Sequence, residues 1–191
     1  MSSDKAAPAQ RNLSPSRRLV LGAGLIGVPA LGLLGFAAET GRIDLLTPTL
    51  PEKADLPPVA GMDLPPVTRA AFAEGPTLLN VWGSWCPQCR EEHATLLELS
   101  KRPGIRLFGL AINDSAASVA AYLKEAGNPY TRLSLDAGNL FMRGLKQRGV
   151  PSTFVFRQDG SFVAKVGREL TPALVESKLL PALEKAASAD A

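Results

Sequence analysis

A chain of 191 residues, 46 % hydrophobic and 20 % charged, can bury one ordinary core with appendages, which excludes a disordered polypeptide and leaves no room for several large domains. The formal charge of +3 lies wholly within the first 18 residues, where Lys5, Arg11, Arg17 and Arg18 stand against Asp4. The neutral remainder offers no basic face for nucleic acid, and the 2 cysteines are too few for the disulfide framework of a small secreted domain.

Residues 1–18 read as a basic cytoplasmic tail. Leu19 to Ala38 follow, 20 residues without a charge; as a helix they are long enough to cross the roughly 30 Å hydrocarbon core of a bilayer. With no polar face, residues 19–38 read as a transmembrane anchor, the basic end held in the cytoplasm and the body exported. A cleaved signal is the alternative: Gly35, Ala37 and Ala38 supply small residues for a peptidase, and "SRRLVL" is similar to a twin-arginine export signal. Residues 39–66 carry Pro48, Pro51, Pro57, Pro58, Pro65 and Pro66 and read as an extended linker, part of which can pair as a short first strand or hairpin. The folded domain is placed at residues 67–191.

Within that domain "TLLNVWG" (Thr77–Gly83) is a short apolar run, as in a strand buried on both faces. A helix is expected from Pro87 to about Ser100, with Pro87 at its first position, where a missing N–H costs nothing. "IRLFGLAI" (Ile105–Ile112) is the next strand, and Ser115 to Gly127 carry a helix with its cap at one end and its stop at the other. "TRLSLD" is a short strand and "GNLFMRGLKQRG" a short helix. "STFVFR" and "SFVAKVG" flank the turn signal "QDG" and form a hairpin. A final helix runs from about Thr171 to Lys185. This order is that of an α/β domain, a central mixed sheet with helices on both faces and an inserted β-α unit.

Both cysteines and the single histidine fall in "NVWGSWCPQCREEH" (Asn80–His93). Cys86 lies where a buried strand passes into a helix, whose first N–H groups and dipole favour a thiolate. A free thiol with a pKa near 8.5 falls to about 3.5–7.5 in such settings. Cys89 is one turn on and faces the same side, so Cys86 reads as the exposed nucleophile and Cys89 as the shielded resolving thiol. A structural zinc site needs four ligands where Cys86, Cys89 and His93 provide three. Copper(I) is less demanding, so a copper-binding assembly chaperone using those three residues stays open. Covalent haem attachment needs His directly after the second cysteine, and Arg90 is there instead.

"WCPQC" after an apolar strand resembles the active site of the thioredoxin superfamily, and "GVPSTFVF" is similar to its cis-proline loop. "LLNVWGSWCPQCREEH", "LKEAGNPY" and the N-terminal anchor together resemble the DsbE/CcmG family of membrane-tethered thiol–disulfide reductases of cytochrome c maturation. The resemblance spans roughly Leu64 to Lys185. It implies a thioredoxin-like fold with a cis Val150–Pro151 bond. It also implies a redox-active Cys86–Cys89 disulfide in place of a cofactor, and a catalytic set of Cys86, Cys89, Pro151 and Glu92. Trp85, Pro87 and Val150 are the implied substrate-binding residues. The implied partners are a DsbD/CcdA-type membrane electron donor, an apocytochrome c or CcmH-type protein, and the inner membrane with the domain on its periplasmic side.

Two positions depart from related patterns. The family carries Gly-x-Pro-Glu-Thr-Phe, where this chain has Ser152 in place of the acid; TlpA-type general reductases accept other residues there. Asn80 stands where thioredoxins proper keep a buried aspartate, which turns attention to Glu92 as the carboxylate that exchanges protons with the thiols. An exposed helix residue is the competing reading for Glu92. Glu91 is read as solvated, His93 as a packed imidazole, Trp82 as core and Trp85 as a frame for Cys86.

Overall fold

The computed structural model describes residues 47–52 and 55–188. The segments expected as a cytoplasmic tail (1–18) and a transmembrane anchor (19–38), with the start of the expected linker, lie outside the described residues. Among the described residues no helix is long and apolar enough to cross a membrane.

The elements follow the expected order. Helix α1 (Arg69–Phe72) precedes β1 (Thr77–Trp82), α2 (Pro87–Ser100), β2 (Leu107–Ala111), α3 (Ala116–Ala126), β3 (Arg132–Leu135), α4 (Leu140–Gly144), β4 (Ser152–Phe156) and β5 (Phe162–Val166). Short α1 was not anticipated; its cap is Thr68, whose side chain accepts from the Ala71 N–H. The C-terminal helix is not uniform as expected. It comprises α5 (Pro172–Leu174), a π-helical stretch (Val175–Leu179) and α6 (Leu180–Ser188). The Leu180 N–H bonds to the Val175 carbonyl, five residues back. Pro181 has no N–H to offer the carbonyl four residues before it, so the ladder is already broken at this point.

The five strands form one mixed sheet in the order β3-β2-β1-β4-β5. Strands β1, β2 and β3 are parallel; β4 is antiparallel to β1, and β5 to β4. Alternation along the strands divides the interior in two. Leu78, Trp82, Leu107, Ala111, Leu133 and Val155 meet α2, α3 and the C-terminal helix. Leu79, Val81, Phe108, Leu110, Phe154 and Phe156 meet Phe72 of α1 and Phe141 of α4. Each fully buried side chain of this size contributes about 1.5–3 kcal/mol, which is what holds both helical layers to the sheet.

The proline-rich segment also packs: Leu50 and Val59 are buried. Instead of a hairpin it makes an isolated antiparallel bridge, Pro58 to Ser134. Leu133 N–H donates to the Pro65 carbonyl at 3.0 Å, and Val67 N–H to Ser134 Oγ at 2.9 Å. The β3 edge is thereby covered.

Candidate active site at the end of the first strand

The loop that leaves β1 is tied on both sides. Ser84 N–H donates to Asp114 Oδ2 at 2.6 Å, and the Ser84 carbonyl accepts from Arg90 Nε at 2.8 Å. Trp85 Nε1 donates to the Ile112 carbonyl at 3.1 Å, which lays the indole along the loop after β2. Gly83 is needed for this: a Cβ there would come within 2.5 Å of Trp85 Nε1. Trp85 remains 53 % exposed and is the exposed large apolar side chain among the described residues.

Cys86 is the N-cap of α2 and Pro87 its first residue. Cys86 Sγ accepts from the Cys89 N–H at 3.2 Å, and the two cysteines are joined as a disulfide. The expected difference in exposure between them is absent, since Cys86 is 2 % and Cys89 3 % exposed. The capping geometry accounts for this: the Cys86 side chain folds back over the first turn of α2 and toward Cys89 rather than outward.

Register pairs Val81 with Ser152, so Pro151 stands at the same end of the sheet as Cys86. The Val150–Pro151 peptide is cis. Val150 is half-buried and packs against both cores. Ser152 is fully buried and accepts from Gln147 Nε2 at 2.6 Å. Lys165 Nζ donates to Gln147 Oε1 at 3.1 Å, and Gln147 Nε2 also donates to the Gly149 carbonyl. The Lys165 contact requires an acceptor, so it fixes which way the Gln147 amide faces.

Glu92 is 1 % exposed, which removes the reading of an exposed helix residue. It lies three residues after Cys89, on the same face of α2. Its Oε1 accepts from Asn80 Nδ2 at 2.9 Å and its Oε2 from the Leu170 N–H at 2.8 Å. Burial raises its pKa to about 7 against the lowering effect of these two bonds, with Glu169 adding a further upward push. Asn80 Nδ2 also donates to Thr153 Oγ1 at 3.1 Å, and Asn80 Oδ1 accepts from the Tyr130 hydroxyl at 2.8 Å.

The neighbouring polar residues serve packing. His93 Nε2 donates to the Gly127 carbonyl at 3.0 Å and its ring meets Tyr122 edge-on; burial lowers its pKa. The Arg90 guanidinium lies over the Tyr122 ring at 4.8 Å. Glu91 is exposed. Among the described residues no group of three or more His, Cys, Asp or Glu side chains is arranged to hold a metal ion.

Several participants were not singled out in the sequence: Asp114, Tyr130, Thr153, Leu170 and Gln147. Asp114 had a usable signal, because it closely follows the carboxyl end of the strand beside β1, where α/β sheets build their sites. The others reach the site only through strand register and long-range folding.

Comparison with known proteins agrees with this construction. Residues 51–179 match the Redoxin family. Thiol:disulfide interchange protein HelX of Rhodobacter capsulatus is 37 % identical over 119 residues, 62 % of this chain and 67 % of the relative. Thiol:disulfide interchange protein DsbE of Escherichia coli is 37 % identical over 110 residues, 58 % of this chain and 59 % of the relative. The match thus spans about three fifths of DsbE's own length. A thioredoxin-family thiol:disulfide interchange protein from Chlorobium tepidum shares the fold, with a TM-score of 0.54 at 20 % identity over 72 % of this chain and 96 % of that one. With a mixed sheet of this topology and a disulfide at the mouth of β1, the chain belongs to the Redoxin family and, within it, to the DsbE-type thiol:disulfide interchange proteins.

Proposed function

We propose that this thiol:disulfide interchange protein is a periplasmic reductase, held to the cytoplasmic membrane by residues 19–38, that reduces disulfides in apocytochrome c or a CcmH-type partner during cytochrome c maturation. The observation that carries the reading is the disulfide of Cys86 and Cys89 across the first turn of α2, with the buried Glu92 carboxyl one turn further on.

In the reduced protein the α2 N-terminus and the Cys89 N–H favour a thiolate on Cys86. That thiolate attacks one sulfur of the substrate disulfide; the substrate S–S bond breaks, a mixed disulfide forms and the first substrate thiolate leaves. Cys89 gives its proton to the Glu92 carboxylate and attacks the Cys86 sulfur. The mixed disulfide breaks, the second substrate thiolate leaves, and the Cys86–Cys89 disulfide remains. Two electrons have passed to the substrate, and the protons go to its thiolates. A dithiol of a DsbD/CcdA-type membrane protein restores the pair by the reverse exchange. Haem attaches only to free thiols, so an oxidising compartment requires such a reductant. Trp85, Pro87 and the Val150–Pro151 loop offer the substrate its docking surface.

A second reading, a TlpA-like reductase of broader range, is favoured by Ser152. The family's acid is missing there, and the buried hydroxyl is held by Gln147 instead.

The test is capture with Cys89→Ser in the native cell. Mixed disulfides with a cytochrome-maturation protein support the reading, and a spread of unrelated periplasmic proteins supports the second one. If Cys86→Ser leaves disulfide exchange unchanged, both fail.

A further inference from the structure

Asn80 sits at the centre of a row of residues in register across the sheet. On one side it pairs with Gly109 of β2, on the other with Thr153 of β4. Gly109 leaves a slot that the Tyr130 ring fills: a Cβ there would lie 2.7 Å from Tyr130 Cγ. Seated in that slot, the Tyr130 hydroxyl reaches Asn80 Oδ1 at 2.8 Å. The Asn80 NH2 then has its two hydrogens on Glu92 Oε1 and Thr153 Oγ1.

We propose that Tyr130 is a positioning residue for the thiol–disulfide site: its phenol holds the Asn80 amide with the NH2 turned to Glu92 and so keeps that carboxyl an acceptor beneath the cysteine pair. The reasoning is a count of donors. An ionised Glu92 only accepts, so it needs the Asn80 NH2, and this leaves Asn80 Oδ1 buried and in want of a donor. Tyr130 supplies it. Without the phenol, Oδ1 is orphaned and the orientation that serves an ionised Glu92 loses its anchoring bond, whereas the turned amide, whose NH2 would face the same place, loses only the weaker bond in which a phenol oxygen accepts. Both hydroxyls can accept or donate, but the phenol is the stronger donor and the poorer acceptor, so Tyr130 on Oδ1 biases the amide more than the aliphatic Thr153 hydroxyl does.

Other groups bear on the same carboxyl. Cys89 precedes it by one turn on α2, while His93 next to it in sequence is turned to the Gly127 carbonyl; Glu169 repels it, and the Leu170 N–H stabilises its charge from the segment before α5. Tyr130 itself is fully buried and stays protonated, its pKa pushed well above 10 by burial and by the Glu92 charge.

This inference rests on the reading that Glu92 exchanges a proton with Cys89, and the test separates the two. The full-length oxidised protein is labelled with 13C at glutamate carboxyls, and the Glu92 signal is identified by its loss in Glu92→Gln. Tyr130→Phe is expected to move the Glu92 titration upward by about one pH unit, a tenfold change in its protonation equilibrium. Thr153→Val, which removes a bond from the same amide, leaves it within about 0.3 units. Incorporation of 3-fluorotyrosine in a Tyr122→Phe background makes the phenol a stronger donor with nothing deleted, and moves the titration downward. An unchanged titration in Tyr130→Phe, or an equal shift in Thr153→Val, overturns the positioning role. Should Tyr130→Phe fail to fold, an unchanged or upward titration with 3-fluorotyrosine overturns it. If Glu92→Gln leaves the pH profile of disulfide reduction unaltered, the proton-exchange reading fails, while the effect of Tyr130 on the carboxyl is judged on its own.

Discussion

The two faces of the sheet are built from different chemistry. Away from the site aromatic rings dominate the interior: Phe72 meets Phe108 and Phe156 edge-on at 5.3 and 5.5 Å, and Phe154 stacks beside Phe156, with the buried polar groups Thr77, Ser134, Asp136 and Ser152 at the ends and edge of the strands. Beneath α2 the interior holds Asn80, Glu92, Thr153 and the Tyr130 hydroxyl, together with a buried Trp82 indole N–H that has no partner among the described residues. Buried polar groups stabilise only when satisfied, and here burial, partly offset by the hydrogen bonds from Leu170 and Asn80, leaves one carboxyl with a pKa near neutrality. The phenylalanine side supports the fold, which allows the other side to carry groups chosen for proton and sulfur chemistry.

Substitutions on the two faces test that division. Cys86→Ser should lower the rate of disulfide exchange by several orders of magnitude, read in an insulin or peptide-disulfide reduction assay. Its melting temperature should fall by only several degrees, because a bond of sequence separation 3 closes a short loop worth about 2 kcal/mol. Phe72→Ala on the opposite face should cost about 3–5 kcal/mol in denaturant unfolding. The exchange rate per folded molecule should be unchanged; a comparable loss of rate would mean the faces are not independent.

The next effect depends on pH. An acid whose folded pKa is raised above its unfolded value holds its proton longer when folded, so stability is greatest below the unfolded pKa and falls as pH rises through the folded one. For Glu92 the window runs from 4.5 to about 7, an interval worth about 3 kcal/mol. Unfolding midpoints should therefore decline across it, and the decline should vanish in Glu92→Gln. His93 acts in the opposite sense, because its lowered pKa weakens the fold as pH drops below 6.5. The smallest effect is expected at Gln147→Ala, which frees the loop around Pro151 without touching the sulfurs. The KM for a disulfide peptide should rise about threefold at constant kcat, roughly the loss of one hydrogen bond; a fall in kcat alone would deny Gln147 a part in holding that loop.

Local pattern was enough for most of the frame. The apolar runs at Thr77 and Leu107, the Pro87 start, the Ser115 cap and the "QDG" turn each mark an element that the structure contains. These signals act within a few residues, and so does the Cys86–Cys89 spacing. What escaped the sequence depends on distance along the chain. Tyr130 reaches Asn80 across 50 positions because β2 and β1 align Gly109 with Asn80. No periodicity encodes that register. The burial of Cys86 escapes for a different reason: its place between strand and helix does not tell that its sulfur turns onto the helix it opens. The π-helical stretch required weighing Pro181 against the carbonyls before it rather than reading the apolar stripe alone.

The bridge from Pro58 to Ser134 and the bond from Leu133 to Pro65 have a practical consequence for anyone shortening the chain. At the far edge of the sheet, β5 carries the exposed Lys165, and the β4–β5 pairing is interrupted by a register shift at Val155/Phe156; both features discourage another strand from joining. Strand β3 has no such charge at its covered middle and relies on the proline-rich segment. A fragment begun at Val67, where the sequence places the start of the folded domain, strips that cover and offers bare N–H and C=O groups to its own copies. One begun ahead of Leu50 keeps the edge sealed, so where the chain is cut decides whether the product stays in solution as single molecules or associates edge to edge.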